Sequence, residues 1–523
     1  MDGPNARAQE WRPSHSPWLV AFSVLLATFM QVLDISIANV ALPHIAGNLS
    51  ATVDQSTWVL TSYLVSSTII LCAAGWMSSI FGRKRYLAFS VVLFTAASAL
   101  CGMAQNLPQL IAARILQGLG GGSLQPLAQA ILLESFPREE RGAAMAAYGM
   151  GIVVAPIIGP TLGGWITDNF SWRWIFYINV PIGAIGLFLQ EMFLEDPPYL
   201  KRAAGFTVDY LGFALMTVGL GVMQIVLDRG QEADWFSAHW ICWASAVSAL
   251  CLGAFVLREL REKHPIVDIR LLKDHNFALG STLVAVLGCV LYGTIAILPI
   301  FMQSLLGYPA YQCGLAMTPR GIGAFFSMII IGRLTRLVDH RPLLFLGFAG
   351  IAATCWMLNG LNLDIAPGNI AWPLALNGLA MGFIFVPMTT LAVSTLRQNQ
   401  IYQATSMYAL MRNIGGSIGI SIMIAMQQRL AQTHQLALVS HLTQMNPLFQ
   451  ERLHAFASML EGRGVPNSIQ AAYGMMYGAV RKQATLMAFA DTFRSLAFLA
   501  AVCAPMAFFF KKSRKHSAAV VIE

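Results

Sequence analysis

"STWVLTSYLVSSTIILCAAGWMSSIFGRKR" (residues 56–85) and "CGLAMTPRGIGAFFSMIIIGRLTRLVDHRP" (residues 313–342) are the two stretches whose likeness decides the architecture. Each is an apolar run that ends at a glycine, Gly75 or Gly332, and passes into a short basic turn. About 20 apolar residues suffice for a helix to cross a bilayer. Apolar runs between polar breaks give fourteen candidate spans, near 18–41, 55–76, 86–104, 108–131, 142–166, 174–194, 209–227, 239–257, 277–301, 312–334, 342–361, 370–392, 402–426 and 489–510. The two matched stretches are the second and the tenth. Two six-span halves related in this way leave two spans between them, and the seventh and eighth fit that place. Parallel six-span repeats are a transporter architecture, with the substrate site at their interface near the bilayer midplane.

The expectation is therefore an all-α polytopic membrane protein. An N-terminal six-helix bundle takes residues 1–202, two linking spans take 203–264, and a C-terminal six-helix bundle takes 265–523 with a long external loop at about 427–488.

Composition agrees. The chain is 56% hydrophobic and 11% charged, with mean hydropathy +0.60, against about 25% charged residues in a soluble domain. The runs are continuous, which excludes the alternating strands of an outer-membrane barrel. Residues 1–16 are polar, and the run after them reads as an uncleaved first span. The eight cysteines lie mostly inside apolar runs without a CxxC pair, so they read as small core residues and no metal site is expected.

The net charge of +8 is distributed by topology. Arg7, Arg12, "GRKR" (82–85), "PREER" (137–141), Lys201, Arg202, "RELREKH" (258–264), Arg270, Lys273, "GRLTRLVDHR" (332–341), Arg397 and "KKSRK" (511–515) fall in the end segments and alternate loops. The opposite short loops offer Arg173 and Arg229. Basic residues mark the cytoplasmic face, so both termini are expected inside, and nucleic-acid binding is not.

Within the first span, "FMQVLDISIANVALP" (29–43) holds a carboxylate, Asp34, in apolar surroundings. A charge at the bilayer centre costs about 2.5–3.5 kcal/mol on the insertion scale, and such residues usually face the bundle interior. In the fourth span, "LIAARILQGLGGGSLQP" (110–126) places Arg114, Gln117, Gly118 and Gly121 on one helical face. At 1.5 Å per residue, Arg114 lies about 9 Å and Asp34 about 13 Å from the outer ends of their spans, so the two can meet. One reading is a structural ion pair, or an acid that bonds neighbouring hydroxyls. The other is a carboxylate that alternately binds and releases a proton, which intramembrane acids favour.

In the fifth span, "GIVVAPIIGPTLGG" (151–164) sets Gly151, Ala155, Gly159 and Gly163 every fourth residue, with Pro156 and Pro160 as a parallel row and Gly164 beside them. Small residues admit a second helix, and each proline removes a backbone hydrogen bond. A bent, mobile gate helix is favoured over inert packing. "GWMSSIFGRKR" (75–85) forces a tight basic turn, with Gly75, Gly82, Arg83, Lys84 and Arg85 as gate-loop candidates. "WRWIFYINVP" (172–181) reads as an aromatic belt followed by Asn179 and Pro181. Arg320 and Arg412 also fall within spans, and either binds an anionic group or pairs with a carboxylate. With Gln31 and Gln117 they are the cavity candidates.

Between the last two spans, Phe449, Leu453, Phe456 and Leu460, then Ile469, Tyr473, Met476 and Val480, follow helical spacing. They read as two short amphipathic helices, lying on the membrane or offering a docking face. No HExxH, nucleophile elbow or Walker A loop is present, so neither catalysis nor ATP use is expected, and no cofactor is assigned.

Taken together, "LDISIANVALP", "GWMSSIFGRKR", "RILQGLGGG" and "APIIGPTLGG" resemble, in order, the signatures of the fourteen-span drug:proton antiporter branch of the major facilitator superfamily. "ATFMQVLD", "NVPIG", "LDRG", "DWF" and "HPIVD" bring the resemblance closest to EmrB-type exporters. That resemblance implies export of bulky, mostly apolar small molecules from a bacterial inner membrane, coupled to protons by alternating access. It carries proton coupling onto Asp34, its charged partner onto Arg114 and the antiporter hinge onto residues 151–164. It also implies a periplasmic membrane-fusion adaptor and an outer-membrane channel as partners. Export of fatty acids or similar anions, and a uniporter or symporter for one metabolite, are the alternatives. One departure stands out: Ser79 occupies the place where the loop motif usually has an aspartate, so residues 83–85 need a different partner.

Overall fold

The computed structural model describes residues 14–511 except 52, 138–139, 197–208, 232, 263–264, 309, 336, 364, 366, 397–399 and 444. Arg7, Arg12, Lys201, Arg202, Arg397 and the basic cluster after Lys511 lie outside the described residues. In chain order the α-helices are α1 (Pro17–Asn48), α2 (Val53–Ser56), α3 (Trp58–Phe81), α4 (Arg83–Met103), α5 (Leu107–Gly121), α6 (Leu124–Ser135), α7 (Arg141–Asn169), α8 (Trp174–Tyr177), α9 (Asn179–Phe193), α10 (Tyr210–Arg229), α11 (His239–Arg261), α12 (His275–Ser304), α13 (Ala310–Leu334), α14 (His340–Leu358), α15 (Pro367–Val393), α16 (Ile401–Ser440), α17 (Pro447–Glu461) and α18 (Ser468–Met506). No strand occurs among the described residues.

Among the described residues, thirteen single helices are long and apolar enough to cross a membrane. The fourteenth apolar segment, the fourth in order, is divided into α5 and α6 at Gly122 and Ser123. Both residues keep right-handed helical dihedrals (φ −59°, ψ −27° and φ −86°, ψ −17°), so this span is distorted rather than broken off.

The first six spans (α1 and α3–α9) form one bundle, and α12–α16 with α18 form the second. Spans seven and eight, α10 and α11, pair with each other, and α10 also leans on α3 and α16. Direct contacts between the bundles gather toward the arginine- and lysine-rich end. There α7 lies against α13, with Ala146 facing Gly332, Gly142 facing Thr335 and Gly149 facing Met328, while Gly75 of α3 abuts Gln403 and Ser406 of α16. Tyr148 stacks on Phe385 across the same seam, ring centroids 6.1 Å apart.

The 427–488 segment is not a loop. α16 runs for 40 residues and α18 for 39, about 60 Å each at 1.5 Å per residue, twice the hydrocarbon thickness. Residues 427–440 contain no glycine or proline, so the helix continues past the apolar part of its span. Only the first expected amphipathic helix is separate, as α17; the second is the leading half of α18. Their apolar faces meet each other: Phe449, Leu453, Ala457, Ala472 and Met476 form a small core of their own.

Candidate functional site

Asp34 of α1 is buried, and donors from two other helices converge on its carboxylate. Arg114 Nη1 of α5 donates to Oδ2 at 2.6 Å. Gln117 Nε2, one turn further along α5, donates to Oδ1 at 2.9 Å, and Asn179 Nδ2 of α9 donates to the same oxygen at 2.7 Å. Asn179 is held in turn by Ser98 Oγ of α4 at 3.0 Å, which donates to the Phe176 carbonyl at 2.8 Å. Arg114 also donates through Nε to the Val59 carbonyl at 3.0 Å and through Nη1 to Gln117 Oε1 at 2.8 Å. Its guanidinium lies 4.3 Å from the Tyr63 ring centroid, a cation–π contact between two buried side chains. All three neighbours donate to the carboxylate, two to Oδ1 and one to Oδ2, an arrangement that favours its charged form. Gln31, one turn before Asp34, is buried beside Tyr63.

The glycines of α5 make this meeting feasible. A Cβ on Gly118 would strike Ser66 Oγ and the Tyr63 carbonyl, and one on Gly122 would strike the Ser67 carbonyl, both on α3. Without those side chains α5 settles directly on α3, and Arg114 reaches across to α1.

The small-residue row of α7 faces α1 two residues beyond Asp34. A Cβ on Gly159 would collide with Ser36, and one on Gly163 would lie 3.0 Å from Ile37 Cγ2. Ala155 is fully buried in the same row, while Gly151 and Gly164 have more room. Pro160 lacks the N–H that would bond the Pro156 carbonyl. Ser36 Oγ donates to that carbonyl instead, at 3.3 Å. The side chain of Pro160 lies outside the described residues, and Pro156 is exposed.

At the basic turn, Gly82 has φ +82° and Asp196 lies where its Cβ would be, so a side chain is excluded twice over. Arg83 is buried and forms an ion pair with Glu134 at the end of α6, a partner the sequence reading left unassigned. Lys84 donates its backbone N–H to Asp196 Oδ1 at 2.9 Å and its Nζ to the Glu191 carbonyl at 2.7 Å. Arg85 is exposed. The side chain of Ser79 lies outside the described residues.

The remaining two cavity candidates stand apart from Asp34. Arg412 of α16 donates from Nη2 to Gln125 Oε1 at 2.5 Å, bridging the two bundles through a neutral amide. Arg320 of α13 is buried inside the second bundle, where among the described residues it makes a weak contact to Met381 Sδ at 3.9 Å. The sequence reading missed Asn179 as a ligand of the carboxylate, because the interfacial tryptophans beside it explain its neighbourhood without it. An amide side chain opening an apolar helix was the available signal.

The sequence profile described as Major Facilitator Superfamily matches residues 24–420. The chain is 36% identical over 496 residues to the fatty acid resistance protein FarB of Neisseria gonorrhoeae, covering 94% of this chain and 96% of that one. It is also 36% identical over 489 residues to the multidrug export protein EmrB of Escherichia coli K12, covering 93% and 94%. Among solved structures, the proton:xylose symporter XylE matches with a TM-score of 0.60 at 13% identity, over 94% of this chain and 95% of that one. The fold, the motif order and these likenesses agree: the chain belongs to the Major Facilitator Superfamily of membrane transporters and is of the EmrB type.

Proposed function

We propose that this transporter is a proton-coupled antiporter that exports drugs and other bulky apolar or amphipathic compounds by alternating access. In this reading it sits in a bacterial inner membrane with both termini cytoplasmic. Residues 1–202 and 265–523 are the moving halves, joined by 203–264. The extension formed by α16, α17 and α18 meets a periplasmic adaptor that leads to an outer-membrane channel. The names of the FarB and EmrB relatives support export of amphipathic compounds and drugs.

The observation that carries the proposal is the placement of Asp34. Its ion pair with Arg114 is inside the bundle, and α1 runs from it directly into contact with α7 at Ser36 and Ile37. Protonation removes the charge that holds Arg114 Nη1 and frees α1 to shift against the glycine row. The leading half of α7 is packed on α13 of the other bundle, so movement of α7 reaches the seam between the halves. In the conformation described here that seam is closed at the basic end. Substrate binding and release of the proton favour one facing state, and reprotonation favours the other.

Everted vesicles test this reading. An imposed pH gradient is expected to drive uptake of an exported drug into them, and Asp34→Asn is expected to abolish that uptake while leaving the protein folded in the membrane. Uptake by Asp34→Asn equal to that of wild type overturns the proton-coupling role.

A further inference from the structure

The buried acids among the described residues are Asp34, Glu134, Asp209 and Glu259. Asp34 pairs with Arg114, Glu134 with Arg83 and Asp209 with Arg258. Glu259, in the last turn of α11, is used differently. Its Oε2 accepts the backbone N–H of Val267 at 3.3 Å, and the Ile266 N–H faces the carboxylate as well. An ionised carboxylate is an acceptor only, and bonds from backbone N–H groups to it are among the stronger ones. Glu259 thereby folds the connection after α11 back onto its own helix.

That connection is a closed turn. Arg270 Nη2 donates to the Leu260 carbonyl at 3.1 Å and to the Glu262 carbonyl at 3.0 Å, and Asp268 Oδ1 accepts the Arg270 N–H at 3.1 Å. Beside Glu259, Arg258 Nε donates to Asp209 Oδ1 at 2.9 Å, which ties α11 to the start of α10. These bonds all lie within the linking pair and its turn.

The apolar side chains of the turn reach further. Ile266 and Val267 are buried, and they line one small cavity together with Cys72 and Gly75 of α3 and Gln403 and Met407 of α16. This is the place where the first bundle abuts the second, Gly75 against Gln403. Two β-branched side chains carried by the linking spans thus lie across the seam that must part when the basic end opens. Isoleucine and valine side chains offer apolar contact alone, which can separate and re-form.

We propose that Ile266 and Val267 are a latch on the basic-end seam: held in shape by Glu259, they wedge against α3 and α16 while the seam is closed and withdraw when it opens. Glu259 is a positioning residue in this scheme. The inference rests on the alternating-access reading above, and it gives spans seven and eight a working part in the cycle.

Val267→Cys tests the latch, because it supplies a thiol beside the native Cys72. A short, reducible bis-methanethiosulfonate reagent is added to everted vesicles, and the joined peptides are identified by mass. Joining is expected to lower proton-driven drug uptake roughly tenfold or more, with recovery on reduction, since the wedge can no longer withdraw. Val267→Cys with Cys72→Ala is expected to show the same uptake with and without the reagent. A confirmed cross-link that leaves uptake unchanged overturns the proposal, as does failure of the two thiols to join. A second readout needs neither substrate nor proton gradient: the rate at which a membrane-impermeant maleimide modifies position 267 in the Val267→Cys, Cys72→Ala protein. Adding Glu259→Ala is expected to raise that rate about tenfold, while Glu259→Gln, whose amide oxygen still accepts an N–H, stays within about twofold. A rate that Glu259→Ala does not change overturns the role given to Glu259. Absence of proton-driven uptake in wild type would remove the export reading and leave this labelling comparison intact.

Discussion

Arg114 and Arg320 lie in the interiors of the two six-helix bundles, and their environments differ in one respect that matters. Arg114 has an acid at 2.6 Å, an amide at 2.8 Å, a backbone carbonyl at 3.0 Å and an aromatic ring beneath it. Arg320 has a methionine sulfur at 3.9 Å. The first bundle neutralises its cation internally. The second bundle leaves the balance open. The two halves of the repeat therefore differ: one holds a buried cation paired with an acid, and the other a buried cation with no carboxylate against it among the described residues. The same contrast runs through the helix seams. α7 lies on α1 through a glycine row that contains prolines, and α16 lies on α12 through Gly415, Gly416 and Gly419 without them.

Removing the two cations should therefore have unequal consequences, and this is the largest effect expected. Arg114→Met leaves Asp34 buried without a cation and is expected to destabilise the protein by about 3–5 kcal/mol, measured by unfolding of the purified protein in detergent. Arg320→Met removes a charge that has no partner and is expected to be neutral or stabilising. The double variant Asp34→Asn with Arg114→Met should recover much of the loss, because it removes both charges together. Equal destabilisation by the two single variants would mean that Arg320 has a counterion in the folded protein, and the contrast between the bundles would be wrong.

The basic turn offers a second comparison. Arg83 is buried like Arg114 and is paired like it, but to Glu134 near a helix end instead of at mid-bundle. Glu134→Gln keeps a hydrogen-bonding group and loses the charge. It is expected to cost about 1.5–3 kcal/mol, less than Arg114→Met, because a neutral amide still receives one guanidinium N–H. If Glu134→Gln is silent, Arg83 draws its stabilisation from elsewhere, and the missing acid at Ser79 has not been replaced by Glu134.

Sequence patterning made the helical, fourteen-segment architecture legible because runs of about 20 apolar residues have few alternatives to crossing a bilayer. Depth along the helix brought Asp34 and Arg114 to one level, but rotation about each axis, which decides whether they face each other, is set by packing that the one-dimensional pattern does not contain. Asn179 was hidden for that reason, and Glu134 was hidden because its partner lies on a different span. The length of α16 and α18 escaped because polarity rises near residue 427 while helix propensity does not fall; a polar stretch was read as a loop. That no described acid pairs with Arg320 depends on neighbours in space, which the one-dimensional pattern does not contain.

The glycine seams should separate by how much their neighbours can yield. In Gly159→Ala the new methyl meets Ser36 Oγ, which can rotate away, and Ser36 Cβ at 2.5 Å, which yields only if α1 shifts; in Gly415→Ala all three nearest atoms are Ala285 backbone, the closest its carbonyl oxygen. Both are overpacking changes of about 1–3 kcal/mol, with Gly415→Ala expected at the upper end. Gly164→Ala, with nothing within 4 Å, should be tolerated. On function the order should reverse: Gly159→Ala is expected to slow proton-driven uptake more than Gly415→Ala at equal expression, because only the first seam carries the prolines and follows Asp34. A larger transport defect in Gly415→Ala would move the hinge to the second bundle.

Ser36→Ala isolates the smallest element of this contrast. Pro160 has freed the Pro156 carbonyl, and the serine hydroxyl at 3.3 Å is its recorded replacement donor. Losing it should cost about 1 kcal/mol or less, since the bond is long and the serine is only half-buried. The consequence for transport is more telling than the stability. If Ser36 links the acid-bearing helix to the proline-containing helix, Ser36→Ala should leave substrate affinity unchanged and shift the pH at which uptake is half-maximal, while Ser36→Thr, which keeps the hydroxyl, should restore it. An unchanged pH profile would place the link between Asp34 and α7 in the packing of Ile37 against Gly163 instead, with the hydroxyl serving only to satisfy a carbonyl.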